Sequence, residues 1–289
     1  MARPTTLDLL GKVLKAPPVP AIPPGRVLEL PGRGTTYLVD TGGHDDRPPL
    51  FLLHALACTG LLTWYPCLEA LTRRYRVVVY DQRWHGQGIR DGQFDLDDCA
   101  DDVAAVADAL GIDRFLVAGY SMGTLVGQLT WRRHPDRVAG LVLCAGATHF
   151  AEEHRQQAVR RTGARIAAFA ERQHRVVAEA LDQTADQRWA WRQFRATPGA
   201  AVAGAASVLA RFDSRPWIGE VDVPAAVVVT ARDRLIPAAR QRAMAGAIPL
   251  ATSYEVDGGH IACVLAADRF RPALLAAVAS VSSRAGALR

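Results

Sequence analysis

The sequence predicts an α/β fold: a mostly parallel, doubly wound sheet with helices on both faces and a helical segment inserted late in the chain. Three observations carry this. Short apolar runs that read as buried strands recur at Leu50–Leu53, Tyr75–Tyr80, Arg114–Ala118, Val138–Cys144 and Ala225–Thr230. Helical patterns separate them, and that alternation is how chains build parallel sheets. Between about 147 and 215 the alternation stops, no strand-like run occurs, and the pattern then resumes.

The elements follow in order. Residues 1–25 form a leader in which Leu7, Leu10 and Leu14 fall at helical spacing. Pro17, Pro18, Pro20, Pro23 and Pro24 then exclude helix and central strand, which leaves an extended arm. Arg26–Leu30 and Thr35–Asp40 read as a hairpin across Pro31-Gly32-Arg33-Gly34. A polar loop from Gly42 to Pro49 leads into the strand at Leu50, and residues 61–73 read as a helix. The helix at 95–110 carries Asp95, Asp97 and Asp98 at its positive end and stops at Gly111. The acidic run Asp95–Asp102 reads as a solvated helix start. A helix at 122–134 ends at Pro135. After the insertion come a helix at 237–247, a strand at Thr252–Val256 and a last helix at 261–281. The division expected is an arm at 1–25, a core formed by 26–146 and 216–289, and a helical insertion at 147–215.

Composition narrows the function classes. The 289 residues carry a formal charge of +5, almost all from arginine, since Lys12 and Lys15 are the only lysines. The arginines are scattered among acids, with no basic stripe interleaved with aromatics, so no nucleic-acid partner is expected. No apolar run is long enough for a membrane span, and no signal peptide is expected. Cys58, Cys67, Cys99, Cys144 and Cys263 are odd in number and lack metal or redox spacing, which reads as reduced thiols in a cytoplasm.

The chemistry centres on Gly119-Tyr120-Ser121-Met122-Gly123, a Gly-x-Ser-x-Gly between a strand and a helix. That context forces the serine into a strained turn with its hydroxyl projecting from the sheet edge. Side chains at Gly119 or Gly123 would collide with the tight strand–helix packing. A serine hydroxyl needs a base, and the base an orienting acid. Asp233 follows the strand Ala225–Thr230, with Pro237 opening the next helix, and His260 follows the strand Thr252–Val256 in a Gly258-Gly259 turn. In a parallel sheet these loops emerge on one edge. Asp213 is the substitute acid, whereas Asp257 is too near His260 in sequence. The oxyanion donors expected are the N–H groups of Met122 and of Leu56, the latter in His54-Ala55-Leu56-Ala57.

These motifs resemble the α/β-hydrolase fold family over nearly the whole of 26–281. The family's His-Gly-x loop matches His54-Ala55-Leu56, its Asp-x-Arg-Gly-His-Gly loop matches Asp81–Gly86, its elbow matches Gly119–Gly123, and its Gly-Gly-His matches Gly258–His260. Ala55 and Trp84 stand where the family has glycine. The resemblance implies a capped serine hydrolase acting on esters or related acyl compounds, with 147–215 as the cap and no cofactor. The surround of the serine also resembles the branch of cofactor-free haloperoxidases, or perhydrolases. A carboxylic ester with an apolar part is the expected substrate. Thioester, lactone and carbon–carbon hydrolysis, perhydrolysis, acyl transfer and a non-catalytic ligand receptor are the alternatives, and the oligomeric state is left open.

Other candidates are weaker. His54, Tyr120, Trp189, Trp191 and Phe194 are candidate pocket residues; the three aromatics of the insertion either roof an acyl pocket or form the insertion's own small core. His54 and His85 read as structural hydrogen-bonders. His149 and His154, with Glu152 and Glu153, do not share a helix face, so no metal is expected. Cys58 reads as a packed small residue.

Overall fold

Described in the computed structural model are residues 17–42, 47–150, 160–168, 171–172 and 185–287, without the side chains of Gln187 and Trp191. Eight strands form one sheet: β1 (Arg26–Leu30), β2 (Gly34–Asp40), β3 (Pro49–Leu53), β4 (Arg76–Tyr80), β5 (Phe115–Tyr120), β6 (Val138–Cys144), β7 (Ala225–Thr230) and β8 (Ala251–Val256). Their order is β1-β2-β4-β3-β5-β6-β7-β8. Only β2 runs against its neighbours; β4, β3, β5, β6, β7 and β8 pair in parallel. The parallel strands therefore all end on one edge.

Alternation across the pleat divides the core in two. Phe51, Leu53, Val117, Leu143 and Val227 face α2 (Leu96–Ala109) and α3 (Met122–Arg133). Leu50, Leu52, Leu116, Val142 and Val228 face α1 (Gly60–Thr72) and the long C-terminal helix (Ala267–Ala287). These strand residues are all but inaccessible to solvent, and each such side chain stabilises the fold by about 1.5–3 kcal/mol. Between β6 and β7 lie a helical stretch at 160–168, α4 (Ala185–Arg195) and α5 (Gly199–Leu209). After β7 comes α6 (Ala238–Ala247), and after β8 come α7 (Ala262–Leu265) and α8 (Ala267–Ala287).

Several expectations shift. The strand read as Arg114–Ala118 runs to Tyr120, directly against the serine. The single last helix is broken at Ala266, whose φ and ψ of −136° and 40° leave the helical region. The acidic run is only partly solvated. Asp95 caps α2 by accepting the Asp97 N–H, but Asp102 is 1 % exposed and binds Arg83 through two hydrogen bonds of 2.9 Å. Arg33 adds a third bond to Asp102 at 2.9 Å, so this end of the run is a buried ion pair. The expected leader helix at Leu7–Leu14 lies outside the described residues. Residues 17–25 have neither helix nor strand. The Pro17 carbonyl accepts from the Tyr65 hydroxyl at 3.2 Å, and the Val19 N–H donates to Asp186 of α4 at 3.3 Å. Among the described residues no helix is long and apolar enough to cross a membrane.

Candidate active site

Ser121 sits between β5 and α3 with φ 52° and ψ −110°, a conformation that costs a non-glycine residue about 1–3 kcal/mol. Its surroundings hold it there. The Ser121 N–H donates to the Cys144 carbonyl at 2.9 Å, and the Thr124 hydroxyl bridges the carbonyls of Gly119 at 3.2 Å and Cys144 at 3.0 Å. A Cβ on Gly119 would lie 2.2 Å from the Gly123 carbonyl oxygen, and one on Gly123 would lie 2.2 Å from that of Leu53. Strain gathers on this edge. Among the described residues the non-glycine residues with positive φ are Ala57, Trp84, Ser121 and Ala145, each in the loop after a parallel strand.

The three expected partners meet. Ser121 Oγ lies 2.9 Å from His260 Nε2, and His260 Nδ1 lies 2.8 Å from Asp233 Oδ2. All three residues are buried. Because a carboxylate only accepts, His260 carries its proton on Nδ1 and presents the Nε2 lone pair to the serine. Asp233 Oδ1 accepts the N–H groups of Leu235 at 2.8 Å and Ile236 at 2.9 Å. Oδ2 accepts from the Thr230 hydroxyl at 2.9 Å and faces Gln241 Nε2 at 3.2 Å. Burial alone would raise the Asp233 pKa. The charge and hydrogen bond of His260, with the bonds from Ile236 and Thr230, outweigh it and hold the carboxyl below its ordinary value. Asp213 is engaged elsewhere: Arg215 grips both its oxygens, at 2.9 and 2.6 Å, and with burial opposing brings its pKa down to about 2.

Tyr120 is buried beside the base, its hydroxyl donating to the His260 carbonyl at 3.0 Å. The N–H groups of Met122 and Leu56 have no acceptor among the described residues. His54 is fully buried, and both its ring nitrogens are bonded: Nδ1 to the Ala55 carbonyl at 2.8 Å and Nε2 to the Gln82 N–H at 2.9 Å. It stabilises the loop carrying Leu56. His85 is equally buried, with Nδ1 on the Arg83 carbonyl at 3.0 Å and its ring 5.2 Å from that of His54. Ala55 has no positive φ, so its methyl costs no backbone strain, whereas Trp84 has φ 65° and its ring lies over Gly204 of α5, where an added Cβ would meet it at 3.8 Å. Burial pushes the Cys58 thiol up to about 12, so it stays protonated at neutral pH.

The insertion docks next to these loops. Thr59, the N-cap of α1, donates to Gln193 of α4 at 2.7 Å, and Thr197 accepts the Gly86 N–H at 3.1 Å. Trp189 packs edge-on against Tyr65 of α1 with ring centroids 5.3 Å apart, and Phe194 is buried. The Trp191 side chain and His154, Glu152 and Glu153 lie outside the described residues. Among those described, no three His, Cys, Asp or Glu side chains are grouped as metal ligands would be. Sequence reasoning missed Thr230 and Gln241 behind the acid and Arg83–Asp102 behind the loop after β4, because nothing local marks a polar residue as buried.

Chemically, this arrangement can deprotonate a hydroxyl and return the proton to a leaving group. Residues 48–267 match the alpha/beta hydrolase fold family. A protein of Caulobacter segnis named carbamate hydrolase RutD is 40% identical over 86 residues, 29% of this chain and 32% of that one. The chain thus spans only about a third of that relative. The namesake in Agrobacterium fabrum is 28% identical over 250 residues, 81% of this chain and 94% of that one. The crystal structure of the enol-lactonase from Burkholderia xenovorans LB400 superposes with a TM-score of 0.71 at 25% identity, covering 88% of this chain and 100% of that one. With the family match extending over most of the chain and the eight-stranded sheet in place, the chain belongs to the alpha/beta hydrolase fold family.

Proposed function

We propose that the chain is a serine hydrolase that cleaves a carboxylic ester through an acyl-enzyme intermediate. Ser121 Oγ attacks the acyl carbon while His260 Nε2 takes its proton, and Asp233 holds the imidazole and balances its charge. The N–H groups of Met122 and Leu56 receive the oxyanion, which is the role their lack of any other acceptor leaves open. His260 returns the proton to the departing alkoxide. Water, deprotonated by the same nitrogen, then attacks the acyl-enzyme, releasing the acid and restoring the serine. No cofactor enters these steps. The insertion between β6 and β7, described at 160–168, 171–172 and 185–215, acts as a cap that selects the substrate's apolar part. The five free thiols support a reducing, cytoplasmic setting.

The observation that carries this reading is the unbroken run from Ser121 through His260 to Asp233, at 2.9 and 2.8 Å. Likeness to an enol-lactonase favours a cyclic ester as the second reading. Turnover of p-nitrophenyl acetate, with an open-chain ester and lactone panel, tests both. Wild type turns over the aryl ester, and Ser121→Ala loses about a thousandfold or more in kcat. Equal rates in the two proteins overturn the reading, and a wild type that binds but never turns over esters or lactones points to a ligand receptor. Product partition with added methanol separates hydrolysis from acyl transfer.

A further inference from the structure

Gln241 stands four residues into the helix after the acid loop and has no solvent exposure. Its neighbours fix which end of its amide is which. One end lies 2.9 Å from the Thr230 N–H, which can only donate, and the other lies 2.8 Å from the Ile236 carbonyl, which can only accept. Turning the amide over would set donor against donor and acceptor against acceptor, so Oε1 faces Thr230 N and Nε2 faces Ile236 O. One Nε2 proton goes to Ile236. The other reaches the Thr230 hydroxyl at 2.9 Å, a shorter path than the 3.2 Å to Asp233 Oδ2. Once Thr230 Oγ1 accepts that proton, its own hydrogen is directed to Asp233 Oδ2, 2.9 Å away, in preference to Gln241 Oε1 at 3.3 Å.

From this relay we infer that Gln241 is a positioning residue for the reaction, acting through the Thr230 hydroxyl to hold Asp233 aligned on His260. The inference rests on the proposed Ser121–His260–Asp233 triad. Two groups share Oδ2, the Thr230 hydroxyl and the imidazole Nδ1–H, while two backbone N–H groups hold Oδ1. The relay fixes the hydroxyl and so fixes the direction left for the imidazole. It also draws negative charge from Oδ2, which limits how strongly the carboxylate favours a protonated imidazole. Gln241 further ties the end of β7 to the turn at Ile236, joining the two ends of the loop that carries the acid.

The experiment uses the full chain and p-nitrophenyl acetate, comparing wild type, Ser121→Ala, Gln241→Leu and Thr230→Val. Gln241→Leu keeps the volume and removes the relay. Its kcat falls by about tenfold with KM within about threefold, as expected for a group acting only through the proton transfer. The acid limb of its kcat/KM profile moves upward by about half a unit, less than a direct hydrogen bond to the carboxylate would give, because Gln241 acts on Oδ2 only through the Thr230 hydroxyl. Thr230→Val cuts the relay where it reaches the carboxylate and shifts the limb in the same direction; an unshifted limb in Thr230→Val overturns the inference even if Gln241→Leu does not fold. A lowered melting temperature with kcat and the acid limb unchanged in the folded variants overturns the inference and leaves Gln241 a structural residue. An active Ser121→Ala protein overturns the triad itself, a failure distinct from that of Gln241.

Discussion

Acid should unfold this protein earlier than its carboxylates alone would dictate, because His54 and His85 are buried as neutral rings. Burial drives the His85 pKa down from 6.5 to about 4, with the Arg83 carbonyl opposing and Arg90 assisting. His54 falls well below 6.5, chiefly through burial and then through His85. Both values are lower in the folded chain than in the unfolded one. Over the interval between them only the unfolded state binds the proton, so stability is full above about pH 6.5 and drains as pH falls. Between pH 7 and pH 5, holding the His85 ring neutral costs about 2 kcal/mol, and His54 adds a loss in the same direction. The depressed carboxyls of Asp40, Asp101, Asp213 and Asp233 lose their contribution only below the ordinary value of 3.8, outside this interval. Asp81, raised by burial despite bonds from Gln87 and Gly60, acts in the opposite sense as pH falls toward its folded value. Urea unfolding followed by tryptophan fluorescence at fixed ionic strength measures the slope. His85→Asn keeps a donor for the Arg83 carbonyl and removes the titration, so the loss between pH 7 and 5 should shrink by about 2 kcal/mol. A wild-type stability that is flat across this range, or an unchanged slope in His85→Asn, refutes the reasoning.

Three further outcomes follow from packing. Gly123→Ala forces a methyl against the Leu53 carbonyl, so it should lose about a hundredfold or more in ester turnover or fail to fold, read by turnover together with near-ultraviolet circular dichroism. Asp102→Asn removes the buried carboxylate from the Arg83 guanidinium, 5 % exposed, and leaves only the half-exposed Asp98 at 3.7 Å, so it should cost about 3 kcal/mol in urea unfolding; a change under about 1 kcal/mol would contradict the buried pair. Thr59→Val removes both the cap on the Leu62 N–H and the bond to Gln193, so it should cost about 1 kcal/mol and speed hydrogen exchange in Ala185–Arg195; unchanged exchange would mean that this bond does not hold the insertion.

Much of the architecture was legible because it is periodic. Runs such as Leu50–Leu53 and Val138–Cys144 announce strands buried on both faces, and the loops after them had to leave on one edge. The residues that converge there, Ser121, Asp233 and His260, stand beside glycines or prolines that mark sharp turns, so local sequence carried their positions too. The polar residues behind them gave no such signal. Gln241 lies in Ala-Ala-Arg-Gln-Arg-Ala-Met, where nothing sets it apart from the arginines beside it, and Asp102 ends an acidic run that reads as solvated. Burial of a polar side chain is decided by what packs over it from distant sequence, here Thr230 and Arg83, and no periodicity encodes that. Trp84 shows the same limit: its positive φ and its seat against Gly204 follow from the fold of the loop and from a helix more than a hundred residues away.

The central claim is that Ser121 is the nucleophile, made reactive by His260. Labelling with a fluorophosphonate probe, followed by peptide mass spectrometry, tests it without knowledge of the natural substrate. A single stoichiometric adduct is expected on the peptide containing Ser121, abolished in Ser121→Ala and slowed by about a hundredfold or more in His260→Ala. Equal labelling of wild type and Ser121→Ala, or an adduct on another residue, would contradict it.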